Sequence, residues 1–272
     1  MSEIKSISDA VVVADNVGKE YPLTGAHKVR NGTRPRLGAD YVDALRDVSF
    51  VARKGESIGI IGRNGSGKST LLKLIAGGES VTSGSVYVSS QPTLLGVSPA
   101  LQGWLTGEQN IFLGLLALGM PPDEAKETIP EIVEWTELGE AAKRPMNTYS
   151  SGMGSKLSFA ISTAVRPEIL LVDESLSTGD AAFASKAQER MGKLLSDAGN
   201  IFLVSHSLAT ITQNCKRALW IHKGDLIADG DSGEVTQLYT DFSTKLQENS
   251  REAGELIEDI KARKAPLKFI YQ

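Results

Sequence analysis

The chain has 272 residues, 41% of them hydrophobic and 23% charged, a balance that can bury a sizeable core and excludes a disordered or fibrous protein. Lys and Arg number 29 against 33 Asp and Glu, and the resulting net charge of −4 argues against general nucleic-acid binding, which needs a surplus of cations facing phosphates. Cys215 is the single cysteine and cannot form an internal disulfide, which fits a reducing compartment. Along the chain, Met1–Ala10 is polar and no signal peptide is expected. Short β-rich runs follow at Val11–Val13, Val48–Val51, Ser57–Ile61 and Ser85–Val88. A basic segment inserted at 22–41, with Lys28, Arg30, Arg34 and Arg36, reads as a loop or short helix. Ser57–Ile61 runs directly into a glycine-rich turn and then a helix over Ser69–Ala76. Thr106 and Gln109 form a capping-box pattern ahead of Ile111, Leu115 and Leu118. The longest apolar run, Ile111–Met120, stops at Pro121 and Pro122, far short of the about 20 residues of a membrane span. Tyr149–Met153 opens a helix expected over Lys156–Val165, with Ser150 and Gly152 at its N-terminus, shortly before the strand that ends at Asp173. Ile169–Val172 and Ile201–Val204 are continuous apolar runs of strand length, the pattern of strands buried on both faces of a parallel sheet. Strands alternating with helices predict an α/β fold. Beyond Tyr239 the tail is charged, with Leu256, Ile257 and Ile260 as a thin apolar stripe on a predicted helix.

The glycines cluster where the chemistry is. Gly62-Arg63-Asn64-Gly65-Ser66-Gly67-Lys68-Ser69 matches the phosphate-loop pattern G-x-x-x-x-G-K-S/T, between a predicted strand and a predicted helix. Glycines let backbone N–H groups turn inward around a β-phosphate, and the helix presents its positive end. Lys68 would reach the β- and γ-phosphates, and the Ser69 hydroxyl would ligate Mg²⁺. The chain is therefore expected to bind a nucleoside triphosphate. Ile169-Leu170-Leu171-Val172-Asp173-Glu174 is an apolar strand ending in two carboxylates. Such a pair is often just solvated. Downstream of a phosphate loop it reads as Asp173 holding the Mg²⁺ shell and Glu174 polarising an attacking water.

Two further segments carry a family resemblance. Tyr149-Ser150-Ser151-Gly152-Met153 looks like a divergent form of the signature motif of ATP-binding-cassette (ABC) ATPases, usually LSGGQ, and Val204-Ser205-His206-Ser207 is similar to the segment bearing their switch histidine. Ser177-Thr178-Gly179-Asp180 takes the place of the loop that touches the opposite subunit. The resemblance covers about Val11 to Asp231. It implies a P-loop NTPase fold: an ABC nucleotide-binding domain over 1–238 with a RecA-like core, an antiparallel β subdomain and a helical subdomain at about 97–166. Residues 239–272 would form a short helical extension. It also implies a homodimer sandwiching two ATP. Gly62, Asn64, Gly65, Ser66, Gly67, Lys68, Ser69 and Thr70 would bind the nucleotide phosphates. Ser150 and Gly152 would face the γ-phosphate held by the other subunit. Tyr21 occupies the place of the aromatic residue that stacks on adenine. Lys68, Glu174 and His206 would act in hydrolysis, with Ser69 and Asp173 on Mg²⁺. The family's coupling glutamine is not assigned to any residue, because its place falls near Val97 or Ser98 while Gln91 and Gln102 lie to either side. Ser151 and Met153 stand where Gly and Gln are usual.

The departures themselves resemble one group. The divergent signature, Thr178–Phe183, Leu94–Gly96 ahead of Leu105–Asn110, and the 22–41 insertion are together similar to the ATP-binding subunits of bacterial polysaccharide exporters, the Wzt-like group handling O-antigen, teichoic acid, capsule and cell-wall galactan. That resemblance implies a peripheral protein on the cytoplasmic face of the plasma membrane. It would dock on a polytopic permease, two copies per transporter, with a lipid-linked glycan at the channel mouth and no nucleic acid among its partners. The basic insertion would meet the glycan's phosphate or would simply be a solvated loop. The tail is far too short for a glycan-binding β-sandwich, which needs roughly 100 residues. Two alternatives are an exporter of a drug or simple lipid, and a soluble ABC ATPase without a transport role.

Overall fold

A computed structural model describes residues 9–23, 41–95, 101–173, 181–197 and 199–263. Lys28, Arg30, Arg34, Arg36, Val97, Ser98, Glu174 and Ser177–Asp180 lie outside them. The chain divides into two compact units, Met1–Ser90 with Phe202–Gln272, and Gln91–Ile201.

In the first unit, β1 (Ala10–Pro22) pairs antiparallel with β2 (Tyr41–Arg53) on one side and β4 (Ser83–Val88) on the other. β1 is much longer than the Val11–Val13 run that announces it. Its apolar pattern is broken by Asp15 and Asn16, where the register shifts and Asn16 takes φ 48°. β3 (Ser57–Ile61) lies parallel to β8 (Arg217–His222), with Ile61 opposite Trp220, and β9 (Asp225–Asp231) returns antiparallel to β8. Three helices complete the framework of this unit after β3: α1 (Lys68–Ile75), α6 (Leu208–Asn214) and α7 (Ser232–Glu248), with α8 (Ser250–Arg263) last. Fully buried Leu45, Phe50, Ile58, Ile60, Leu71, Phe202 and Trp220 form its core.

Arg217 ties β8 to its surroundings: its guanidinium donates to both Asp229 oxygens at 2.6 and 2.8 Å, to Glu56 Oε2 at 2.9 Å and to the Val51 carbonyl at 2.8 Å. α7 packs on the same strand through Tyr239 and Phe242, whose ring centroids lie 5.6 and 5.2 Å from that of Trp220. The helix thus runs straight through residue 239, where the sequence placed the start of a separate extension. Packing on Trp220 brings Phe242, near the start of that tail, into the core, with Tyr239 half-buried beside it. On α8, Ala253 and Ile257 are buried while Leu256 and Ile260 are half-exposed, so the apolar stripe is the docking face.

The second unit contains α2 (Gly107–Ala117), α3 (Pro122–Thr136), α4 (Ser151–Ser162) and α5 (Ala181–Asp197), with β5 (Thr93–Leu95) parallel to β6 (Ile169–Asp173). β7 (Asn200–Val204) leads the chain back to the first unit. Ile111, Leu115, Ala125, Ile132, Leu157 and Ala160 interlock between the helices. The predicted capping box is formed, with Thr106 accepting from Gln109 N and Gln109 from Thr106 N. α4 begins at Ser151, earlier than the Lys156 that the pattern predicts. Gly152 and Gly154 lower the local helix propensity, but Ser150 Oγ accepts from Met153 N at 3.2 Å and starts the helix. Among the described residues, no helix is long and apolar enough to cross a membrane.

Candidate functional site

The site is built where β3 ends. Gly62 has φ 147°, and a Cβ there would lie 2.1 Å from the Ile221 carbonyl oxygen, so only glycine lets the loop pass against β8. At the other end Gly67 (φ 112°) is the N-cap of α1, and a Cβ on it would come within 2.5 Å of the Ala44 carbonyl. A glycine N-cap has no side chain to give, and none caps α1. The first turn of α1 thus points its backbone N–H groups and the positive end of the helix dipole at the loop with no capping side chain in between, the arrangement that suits an anion.

Lys68 is buried, its Nζ donating to the carbonyls of Gly62 at 2.7 Å and Arg63 at 3.0 Å. The ammonium is therefore held across the loop, inside the ring of backbone groups. Ser66 is also buried, and its Oγ has no hydrogen-bond partner among the described residues. An unpaired buried hydroxyl costs about 1–3 kcal/mol. A loop that combines an orphan hydroxyl, a buried ammonium and uncapped helix amides fits a polyanionic ligand. Ser69 follows on the exposed side of α1.

An open pocket of about 380 Å³ lies over loop residues 62–66, walled by His206, His222, Lys223 and Tyr239. His206 is exposed at the end of β7, and two hydroxyls shape the turn that carries it. Ser205 Oγ accepts from Ser207 N at 3.0 Å, and Ser207 Oγ caps α6 by accepting from Thr210 N at 3.2 Å. The first unit thus brings the predicted histidine and the predicted phosphate loop to one pocket. Burial lowers the pKa of His222 below the usual imidazole value, helped by the neighbouring charges of Lys223, Arg63 and Lys261 and opposed by Asp225.

Tyr21 sits at the flank of α1. Its hydroxyl donates to Glu79 Oε2, which also faces Lys19 Nζ at 3.3 Å, while Glu79 Oε1 lies 3.6 Å from Lys73 Nζ. Burial and this carboxylate raise the Tyr21 pKa, and the Tyr21 hydroxyl is the largest cause lowering that of Glu79. Lys19 Nζ lies 5.0 Å from the Tyr21 ring centroid, and Thr70 reaches the same hydroxyl.

The remaining predicted residues belong to the second unit. Asp173 ends β6, half-buried, and Glu174 lies outside the described residues. Ser150 is the N-cap of α4, and Gly152 is exposed in its first turn. Tyr149 fixes this corner by donating its hydroxyl to the Ala141 carbonyl at 2.7 Å. Cys215, buried at the end of α6, has its thiol pKa pushed up to about 12 by desolvation, so it packs as a small hydrophobe.

His222, Lys223 and Tyr239 were not anticipated at the pocket. One signal was available: Lys223-Gly224 between two apolar runs is a hairpin turn, and both residues take positive φ, 49° and 88°. What no local pattern reveals is that β8 lies beside β3, so that this turn meets the phosphate loop.

The model of the ABC transporter family matches residues 45–177. A teichoic acids export ATP-binding protein, TagH, of Staphylococcus haemolyticus (strain JCSC1435) is 36% identical over 239 residues, 87% of this chain and 90% of that protein. The TagH of Listeria innocua serovar 6a (strain ATCC BAA-680 / CLIP 11262) is 38% identical over 230 residues, 84% of this chain and 69% of that protein. The TagH of Bacillus anthracis is 41% identical over 213 residues, covering 78% of this chain. The chain spans only 39% and 44% of the length of two Bacillus relatives that it matches. Among solved structures, a dimeric ATP-binding cassette in a post-hydrolysis state bound to ADP and Pi aligns with a TM-score of 0.61 at 22% identity, over 81% of this chain and 98% of that one. An ATP-binding subunit of an ABC transporter aligns with a TM-score of 0.63 at 22% identity, over 90% and 99%. These two establish the cassette fold, α/β with a phosphate loop, and the sequence relatives go further: the chain belongs to the family of ABC transporter ATP-binding proteins that contains the teichoic acids export proteins.

Proposed function

We propose that the chain is the ATP-hydrolysing subunit of an ABC exporter. In this reading it works as a homodimer that sandwiches two ATP and drives a lipid-linked cell-wall polysaccharide through a separate polytopic permease. It sits peripherally on the cytoplasmic face of the plasma membrane. The observation that supports the ATPase reading is the phosphate loop itself, which carries buried Lys68, the orphan Ser66 hydroxyl and the N-terminus of α1 without a side-chain cap on one short turn. The relatives named for teichoic acids export support the cargo class.

The residues divide the work. Backbone N–H groups of Asn64, Gly65, Ser66 and Gly67 cradle the β-phosphate, and Gly62 permits the turn. Lys68 exchanges its two carbonyl partners for β- and γ-phosphate oxygens, gaining charge-assisted bonds in place of neutral ones. Ser69 and Asp173 would hold Mg²⁺, which when bound neutralises charge on the β- and γ-phosphates. Thr70 lies beside the α-phosphate position and Tyr21 beside the adenine. Glu174 accepts a proton from water as the water oxygen attacks the γ-phosphorus and the bond to the ADP oxygen breaks, while His206 positions the γ-phosphate. Ser150 and Gly152, at the N-terminus of α4, close on the γ-phosphate bound by the other subunit. ATP then favours the closed dimer and hydrolysis releases it, a two-state element that a permease can follow.

Glu174→Gln tests the assignment. The variant is expected to bind ATP like wild type, lose turnover by at least about 100-fold and accumulate as an ATP-bound dimer on size exclusion with Mg²⁺. Hydrolysis near the wild-type rate removes Glu174 as the base. The cargo is tested in vesicles containing the permease: uptake of hydrophobic dyes with no movement of lipid-linked glycan overturns the polysaccharide reading.

A further inference from the structure

The wall of the phosphate pocket opposite the loop comes from the β8–β9 turn, and this turn is bonded in two directions. Toward the loop, Gly224 N donates to the Ser66 carbonyl at 2.9 Å, and the Ile221 carbonyl occupies the space a side chain on Gly62 would need. Away from the loop, Asp225 is held by the C-terminal helix. Lys261 Nζ of α8 donates to Asp225 Oδ2 at 2.8 Å, while Arg46 of β2 donates to Asp225 Oδ1 at 2.9 Å and to the Lys223 carbonyl at 2.8 Å. Burial works against the Asp225 carboxylate, but the bonds from Lys261 and Arg46 outweigh it and keep its pKa below the ordinary value. α7 reinforces the contact, since Tyr239 lines the pocket and the Phe242 ring meets His222 edge-on at 5.0 Å.

Between these two sets of bonds stand His222 and Lys223, facing a pocket whose ligand carries several negative charges. Lys223 is exposed and forms no ion pair among the described residues. His222 is half-buried against Phe242 with cations around it, so an arriving phosphate gains more there than it would in open solvent.

We propose that the β8–β9 turn is a second wall of the nucleotide-phosphate pocket, with Lys223 as its cation and His222 beside it, held in place by the C-terminal helices, so that filling the pocket and docking α8 are coupled. This rests on the nucleotide-binding reading above. Coupling of this kind is reciprocal: whatever α8 docking adds to nucleotide affinity, the nucleotide returns to α8. The helices sequence reasoning assigned to an appendage then become a sensor through which a bound partner can alter ATP affinity.

The test uses the full chain, Mg²⁺ and the non-hydrolysable analogue AMP-PNP, with binding measured by calorimetry and amide hydrogen exchange followed over 250–263. Lys223→Ala is expected to weaken AMP-PNP about three- to tenfold, the size of one exposed charge-assisted contact. Adenosine binding should not change. Lys261→Ala breaks the bond to Asp225, which does not line the pocket, and also removes a charge felt at His222; it should weaken AMP-PNP about threefold, and the α8 exchange readout separates coupling from the lost charge. In wild type, AMP-PNP should slow exchange in α8, and the slowing should vanish in Lys261→Ala. Unchanged AMP-PNP affinity in both variants, or α8 exchange indifferent to AMP-PNP, overturns the proposal while leaving the phosphate loop intact. If wild type binds no AMP-PNP at all, the nucleotide reading falls and the proposal with it.

Discussion

Two helix N-termini, α1 in the first unit and α4 in the second, are built in opposite ways. α4 opens on Ser150, whose hydroxyl caps the Met153 amide, and α2, α6 and α7 likewise open on side-chain caps from Thr106, Ser207 and Asp231. α1 opens on Gly67 and receives no side-chain cap. A capped helix end is satisfied before any ligand arrives, whereas an uncapped one inside a folded loop holds its donors in reserve. The first end thus has the construction expected of an anion site. The second becomes one only when something adds to a cap that already stands, as expected of a surface that waits for a partner subunit.

The comparison is broken most forcefully at Lys68. If the α1 end is the primary anion site, Lys68→Ala removes the one buried ammonium among the described residues, and AMP-PNP affinity should fall by at least about 100-fold, near 3 kcal/mol. Calorimetry decides it, and unchanged affinity would mean that the loop amides alone carry the site. The fold should survive, because the lost bonds are to the loop's own carbonyls at 2.7 and 3.0 Å and not to the core.

Next in size is Gly62→Ala. The added Cβ would sit 2.1 Å from the Ile221 carbonyl oxygen at φ 147°, so the loop must leave β8. A loss of about 2–4 kcal/mol in urea unfolding is expected. Nucleotide binding should fall with it. A variant that unfolds at the wild-type midpoint would show that the loop is not pinned where β3 meets β8.

How much of this was legible beforehand follows from range. The phosphate loop is a contiguous string whose fixed positions each have a local reason, and Thr106 with Gln109 is a local contract between neighbours on one turn. Both are readable without a fold. β1 was cut short because a bulge at Asn16 puts polar residues where alternation expects apolar ones, a backbone decision that propensity does not record. The end of α4 is partly legible, since Tyr149–Met153 reads as the segment that opens the helix, but Gly152 and Gly154 push the expected first residue to Lys156 where the serine cap starts it at Ser151. The pocket's far wall was invisible for a different reason. His222, Lys223 and Tyr239 reach the loop only because β8 pairs with β3 across most of the chain, and Trp220 then seats α7 beneath them. The tail's division at Tyr239 failed to match any break in the helix for the same reason: its apolar residues belong to a distant strand.

The smallest effects come from α4, where stability and function should separate. Ser150→Ala deletes the cap on Met153 N and should cost about 1 kcal/mol. Gly152→Ala should cost nothing and could gain up to about 1 kcal/mol of helix propensity. Its Cβ would meet only Ser150 Oγ at 3.9 Å, and its backbone is ordinary helix. Neither residue belongs to the unit that holds the phosphate loop, so both variants should bind AMP-PNP as wild type does. If the α4 end closes on nucleotide held by a second copy, both should nevertheless lose the ATP-dependent dimer and turnover. Gly152→Ala would do so while folding as well as or better than wild type, because a methyl group at the helix N-terminus blocks close approach of a phosphate. Thermal unfolding and size exclusion with Mg²⁺ and ATP in the Glu174→Gln background separate the two readouts. A Gly152→Ala chain that is stable and still dimerises with ATP would make the glycine a mere accident of sequence and return α4 to an ordinary capped helix.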